Sequence, residues 1–326
     1  MDMKKSILVL SALFFSGLIF NTQAASIPGP LVDASWLKAN LKNTKVISLR
    51  ADIKSFSRKP VYKTNKKTGK KKLIKVGGHI PGARLINYKK IRGTDKINGK
   101  KVKKMLPSKQ VIETLIQSAG INKNDTIIIS SKGHNNGDMT MATRLYWQLK
   151  FYGHNNMAIL DGGLAAWTLA GYPLDFSAAK KHKGNWQIGD LQRQVLAISS
   201  DVKRAVDSQQ QLIDNRSLSQ YLGTWHKSYV YAPGHIPGAK FFPTELMTEN
   251  SLPARFLKKD KLKKLYQTMG IDPAKKSISY CNSGHLASGS WFIISEIFGN
   301  SQAKMYDGSM HQWTLEKRPV KSLIME

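Results

Sequence analysis

Three segments of this chain occur twice, in the same order. Gly78-His-Ile-Pro-Gly-Ala83 returns unchanged as Gly234-His-Ile-Pro-Gly-Ala239. Ala119-Gly-Ile-Asn122, which precedes the apolar run Thr126-Ile-Ile-Ile129, returns as Met269-Gly-Ile-Asp272 ahead of Ser277-Ile-Ser-Tyr280. Asp161-Gly-Gly-Leu-Ala-Ala-Trp167 returns as Asp307-Gly-Ser-Met-His-Gln-Trp313. The offset drifts from 156 through 150 to 146 residues. Solenoid repeats recur every ~20–50 residues, so a separation this long means a duplicated domain with small insertions. The 326 residues are also more than one compact domain usually holds.

Within each half, short apolar runs such as Lys45-Val-Ile-Ser-Leu49 and Gln211-Leu-Ile-Asp214 alternate with amphipathic stretches such as Ser108 to Ala119 and Lys261 to Met269. That alternation predicts βαβ units: an α/β fold of two tandem domains, each a mostly parallel sheet with helices on both faces. The domains are expected at 25–178 and 190–326. The polar segment 179–189, without apolar periodicity, joins them. Functional loops then belong at the carboxyl ends of strands.

Cys281 is the chain's single cysteine, and it stands one residue past the strand-like Ser277-Ile-Ser-Tyr280. Asn282, Ser283 and Gly284 follow, then a helix-like run. A loop of small residues between a strand and a helix gathers backbone N–H groups and a helix dipole end at one point. Such surroundings favour the thiolate, the nucleophilic form. The other reading of a lone cysteine, a small buried apolar group, does not call for Gly284 or the polar pair before it.

Lys4 and Lys5 precede an apolar stretch from Ile7 to Phe20, and Thr22-Gln23-Ala24 supplies small residues for a cut before Ala25. This is the pattern of a secretory signal peptide over 1–24. Its apolar part is shorter than the ~20 residues that span a bilayer. A periplasmic, exported chain is expected. With one cysteine it forms no internal disulfide.

Taken together, several motifs resemble those of the tandem rhodanese-type sulfurtransferases. They are the paired hexapeptides, the two Asp-Gly-Gly/Ser…Trp segments, Leu212-Ile-Asp-Asn-Arg-Ser217 followed by Gln220-Tyr-Leu-Gly-Thr224, and the strand-Cys281-Asn-Ser-Gly-helix loop. The resemblance covers nearly the whole chain after the leader. It implies a first domain that has lost the catalytic cysteine, here with Ser130-Ser-Lys-Gly-His-Asn-Asn136, and a second that keeps it in the loop 281–286. It also implies the chemistry. Cys281 takes the outer sulfur of a donor to give a persulfide, and a thiophilic acceptor then removes it in a ping-pong cycle without a cofactor. The N–H groups of 282 to 286 would stabilise the sulfur.

By the same resemblance Arg216 would hold the donor's anionic end, and Asn282, Ser283, Gly284, His285 and Leu286 would line the substrate. His79 and Asp52 are auxiliary candidates. The duplication of His79 as His235 argues instead for a structural turn. The donor stays open between thiosulfate and 3-mercaptopyruvate. Family members that prefer thiosulfate tend to carry basic residues where this chain has Asn282 and Ser283, and Ser283 fits the mercaptopyruvate group. The second arginine usual in that group is absent; in the stretch before the second hexapeptide only Lys227 could replace it. His285 could donate a hydrogen bond or a proton, or face solvent. A noncatalytic persulfide carrier or anion-binding protein that hands sulfur to a partner is the alternative function. A cysteine phosphatase would need an arginine where Ala287 stands.

Lys and Arg number 51 against 21 Asp and Glu. Much of the excess lies in an insertion at 58–75, which reads as two short strands with a turn at Thr68-Gly69, and in a second basic stretch from Lys89 to Lys104. A solvated surface, steering of anionic donors, and docking on an anionic surface or acidic partner all fit it. Nucleic acid is not expected, because the insertion's one aromatic, Tyr62, makes no stacking platform. The scattered histidines show no metal-ligand spacing, and nothing bears on oligomeric state.

Overall fold

The computed structural model describes residues 26–323. The leader expected at 1–24 lies outside the described residues. The first half runs β1 (Leu31–Val32), α1 (Ala34–Asn40), β2 (Lys45–Arg50), β3 (Val61–Thr64), β4 (Lys71–Lys75), β5 (Arg84–Asn87), β6 (Gly93–Ile97), β7 (Lys100–Met105), α2 (Lys109–Ser118), β8 (Ile127–Ser130), α3 (Asn136–Phe151), β9 (Met157–Leu160) and α4 (Gly163–Leu169). The second runs β10 (Leu196–Ala197), α5 (Ser199–Asp207), β11 (Gln211–Asp214), α6 (Leu218–Leu222), β12 (Lys240–Phe241), α7 (Lys259–Thr268), β13 (Ser277–Tyr280), α8 (Ala287–Phe292), β14 (Ala303–Tyr306) and α9 (Ser309–Leu315).

One five-stranded sheet has the order β1-β9-β8-β2-β5, the other β10-β14-β13-β11-β12. Every pairing in both is parallel. Matched strand for strand, the two orders are the same, so the duplication read from three peptides extends to the topology. The central strands β8 and β13 are buried along their whole length, as strands covered on both faces must be. Helix α2 begins where the Ser108 side chain accepts a bond from the Val111 amide, and it turns Ile112 and Ile116 inward one turn apart. Helix α7 starts at Lys259, two residues ahead of the amphipathic pattern.

The repeated peptides do the same work in each half. His79 stacks on Phe56 with ring centroids 3.7 Å apart and meets that residue's carbonyl oxygen at 2.9 Å. His235 stacks on Tyr221 at 3.9 Å and meets its carbonyl oxygen at 2.7 Å. Each histidine's backbone also bridges to the end of its own half, at Asp175 and at Lys321. The Trp167 and Trp313 indole N–H groups donate to the carbonyls of Pro173 and Pro319, both at 2.8 Å.

Helix α3 is buried on nearly all sides, 13 of its 16 residues, so it lies inside the molecule rather than on its surface. It packs against α8, the helix that follows Cys281. One apolar cluster runs from Ile47, Ile129 and Leu145 to Ile213, Trp291 and Phe292. The halves therefore share a core. The join 179–189 has no helix or strand, yet Trp186 is buried and its amide donates to Ile121.

The basic insertion forms the antiparallel hairpin β3–β4, with Gly69 at φ +66° in its turn and Leu73 as its buried anchor. The second basic stretch forms a hairpin too, β6–β7. Its tip, Asn98-Gly99, has both residues at positive φ, a dipeptide signal for a tight turn.

Candidate active site

Cys281 follows directly on β13, which lies between β11 and β14 in the second sheet. The loop is fixed from behind by α9. Ser309 Oγ accepts bonds from the amides of Cys281 and Gly284, both at 3.1 Å, and donates to the Tyr306 carbonyl at 2.8 Å. The amides of Met310 and His311 donate to the carbonyls of Cys281 and Asn282. The first half repeats this grip, with the amides of Leu164 and Ala165 on the carbonyls of Ser131 and Lys132. Ser131 thus stands where the other half has its thiol. Ser309 adopts φ +48°, and its counterpart Gly163 has φ +54°. A side chain in that left-handed region is strained, and here its hydroxyl is what ties the loop.

The first half also reaches across to the loop. Arg144, on α3, donates through Nη1 to the Gly284 carbonyl at 3.0 Å and pairs with Asp307 at 2.5 Å, with side-chain exposures of 0% and 4%. The other oxygen of Asp307 accepts from the Leu106 amide at 2.8 Å. Gly284, at φ +68°, has no room for a side chain, since a Cβ would lie 2.5 Å from Arg144 Nη1.

Cys281, itself 2% exposed, borders a cavity of about 370 Å³ with Asn282, Ser283, His285 and Leu286 of the loop, Tyr88, Arg92 and Lys104 of the first half, and Lys227 and Tyr229. The cavity lies where the halves meet. Arg92 donates from Nε and Nη2 to the Lys104 carbonyl, from Nη1 to the Tyr88 hydroxyl, and from Nη2 to the Ser283 carbonyl. Lys104 Nζ sits 4.3 Å from the centroid of the Tyr229 ring. Burial, then the charges of Arg92 and Lys227, push the Lys104 ammonium below its ordinary pKa. Among the described residues, none of these three cations forms an ion pair with a carboxylate.

His285 is held by the other half. Thr140 donates to the Gly137 carbonyl, and His285 Nε2 lies 3.2 Å from Thr140 Oγ1 and 3.3 Å from that same carbonyl. A carbonyl only accepts, so Nε2 carries the proton and Nδ1 is the bare nitrogen. Burial, then Arg92, pushes its pKa down to about 3. The ring is therefore neutral at ordinary pH and supplies no imidazolium proton.

Asn282, Ser283, His285 and Leu286 thus meet at the cavity with Cys281, and Lys227 joins them. Gly284 contributes backbone room, and its amide is committed to Ser309 rather than to the sulfur. Arg216 requires a correction. Its Nε bonds both oxygens of Asp214 at 2.9 and 3.1 Å, and its Nη2 bonds Asp214 at 2.6 Å and the Gly234 carbonyl at 2.8 Å. Both side chains have no exposure, so this fork ties β11 to the second hexapeptide and does not border the cavity. Arg50 does the parallel work in the first half, on Ser48 and the Gly78 carbonyl. The auxiliary pair is corrected as well. His79 borders a different cavity, with Asp175 and Arg84, and Asp52 is exposed, capping the turn at Lys54.

Sequence reasoning missed Arg92, Lys104, Arg144 and Ser309. Asn98-Gly99 was the available signal for the hairpin that carries Lys104. Nothing local marks Arg144.

The fold and site define a two-domain α/β protein whose one thiol sits in a strand-end loop at an interdomain cavity. The Rhodanese-like domain is matched twice, over residues 33–170 and 199–316, and the chain belongs to that family. A "Putative thiosulfate sulfurtransferase" of Mycolicibacterium smegmatis is 29% identical over 290 residues, 87% of this chain and 93% of that one. The "Sulfur carrier protein TtuD" of Thermus thermophilus is 26% identical over 88% of this chain and 94% of its own length. SseA from Escherichia coli, a 3-mercaptopyruvate sulfotransferase by its description, superposes with a TM-score of 0.66 at 22% identity, covering 86% of this chain and 98% of that one. That likeness is one of fold.

Proposed function

We propose that the protein transfers sulfane sulfur from a small anionic donor to a thiophilic acceptor through a persulfide on Cys281. One observation carries this reading: the only thiol of the chain opens on a cavity ringed by three cations that, among the described residues, form no ion pair with a carboxylate. The thiolate attacks the donor's outer sulfur, a new S–S bond forms on Cys281, and the donor's own bond to that sulfur breaks with its electron pair leaving on the remainder. With thiosulfate the leaving group is sulfite. Cyanide or a thiolate then attacks the outer persulfide sulfur and regenerates the Cys281 thiolate. The cations at the rim stabilise the anionic donor and leaving group. His285 stays neutral throughout as a positioned hydrogen-bonding group.

Similarity to a sulfur carrier supports a second reading, in which the persulfide forms quickly and is passed to a protein. The proposed setting is periplasmic, on the strength of the 1–24 sequence pattern alone.

The test is intact-protein mass spectrometry after incubation with thiosulfate or with 3-mercaptopyruvate, followed by cyanide. A gain of about 32 Da, one sulfur on the nucleophile, removed by cyanide and absent from Cys281→Ser, is expected. Loading without release to cyanide would favour the carrier. A gain that persists in Cys281→Ser would sink the mechanism.

A further inference from the structure

The β6–β7 hairpin belongs to the half without a thiol, yet it brings cations to the thiol of the other half. The loop itself has none beside Cys281, since Asn282 and Ser283 are uncharged. Instead Arg92, just ahead of β6, and Lys104, near the end of β7, stand over it with Lys227.

Lys104 occupies an unusual backbone position. Gly93 pairs with Met105 and Thr94 with Lys103, so Lys104 is the extra residue of a β-bulge, at φ +72°. Glycine is the residue that takes this conformation without strain. A lysine there keeps a strained backbone, and strain of this kind is retained where the side chain has work to do. The bulge turns the Lys104 carbonyl onto the Arg92 guanidinium and sets the ammonium over the Tyr229 ring. Among the described residues, the oxygens that hold Arg92 are neutral: the Lys104 and Ser283 carbonyls and the Tyr88 hydroxyl. Two like charges are thus kept close, Arg92 adding to burial in holding the Lys104 ammonium below its ordinary pKa, and among the described residues neither forms an ion pair with a carboxylate. An anion in the cavity is what would relieve that repulsion, and a doubly charged anion relieves it more than a singly charged one.

We infer that Arg92 and Lys104 are donor-binding residues that select a dianionic sulfane-sulfur donor, of the inorganic thiosulfate type, over a monoanionic one. The inference rests on the persulfide reading above and names the substrate class of that site. The hairpin of the thiol-free domain here replaces the charge that the catalytic loop lacks.

The experiment compares thiosulfate with methanethiosulfonate, which carries the same kind of transferable sulfur on a single negative charge, and with 3-mercaptopyruvate. Wild type, Lys104→Gly and Arg92→Gln are assayed with cyanide as acceptor by release of the donor's own leaving group: sulfite from thiosulfate, methanesulfinate from methanethiosulfonate and pyruvate from 3-mercaptopyruvate. The expected result is a rise in KM for thiosulfate of about tenfold per lost charge, a much smaller rise for methanethiosulfonate, and a wild-type preference that weakens with salt. Lys104→Gly should melt no lower than wild type, because glycine relieves the bulge. As a binding measurement without turnover, thiosulfate should raise the melting temperature of Cys281→Ser more than that of Cys281→Ser/Lys104→Gly. An unchanged ratio of the two donors' KM values in both variants, or equal thiosulfate stabilisation of both Cys281→Ser proteins, overturns the assignment and leaves the persulfide reading standing. A wild type that takes sulfur from none of the donors removes both.

Discussion

Ser309 offers the sharpest test of how the loop is built, because two substitutions separate its two burdens. Ser309→Ala keeps the strained φ of +48° and removes the hydroxyl. The amides of Cys281 and Gly284 then lose their acceptor in a buried site, and the Tyr306 carbonyl loses a donor. An unsatisfied buried polar group costs roughly 1–3 kcal/mol, so two stranded amides predict a loss of about 2–6 kcal/mol. Ser309→Gly loses the same bonds but relieves the left-handed backbone, about 1 kcal/mol. The expected order of stability is therefore wild type, then Ser309→Gly, then Ser309→Ala. The two variants should be equally impaired in Cys281 persulfide formation, since both free the same amides. Urea unfolding followed by tryptophan fluorescence and far-UV circular dichroism gives the stabilities, and agreement of the two probes checks that one transition is being read. If Ser309→Ala loses less than about 0.5 kcal/mol, within the range of an ordinary surface change, the hydroxyl does not hold the loop. If Ser309→Gly is the less stable variant, the strain argument is wrong.

Arg144→Met keeps a stem over Trp147 but strands Asp307, and removing one partner of a buried pair costs about 3–5 kcal/mol. The double variant with Asp307→Asn should recover a large part of that loss; strictly additive losses in a double-mutant cycle would show that the pair is not the bridge between the halves. His285 is held neutral down to about pH 3 while an unfolded histidine takes its proton near 6.5. The folded state thus binds fewer protons in that window, and stability falls as pH drops below about 6.5. His285→Asn should lessen the loss between about pH 7.5 and 5 by on the order of 1–2 kcal/mol; an unchanged pH slope in urea unfolding would mean the imidazole is not held neutral.

Much of the architecture was legible because it is encoded locally and twice. The apolar runs at 127–130 and 277–280, the glycines that need positive φ and the repeated hexapeptides each dictate their own backbone wherever they occur. Their order along the chain then implies two equivalent parallel sheets. Cys281 was readable for the same reason: strand, small-residue loop and helix are consecutive, so the thiol's place at a strand end follows from neighbours in the chain. Arg216 was misread because an arginine near a nucleophile looks the same in sequence whether its fork grips a ligand or an aspartate two residues away. Only burial and the carbonyl of Gly234 distinguish the two. His79 shows the converse, since its duplication as His235 pointed to the stacked, structural role that Phe56 and Tyr221 give the two rings. What tertiary structure alone decided is the charge and rigidity of the cavity. Arg144, Arg92 and Lys104 act on a loop that begins 137 or more residues later; α3 brings Arg144 there by packing against α8, and the β6–β7 hairpin brings Arg92 and Lys104 to the cavity. A local pattern can set a backbone, but it carries no record of which distant side chain the packed core will press against it.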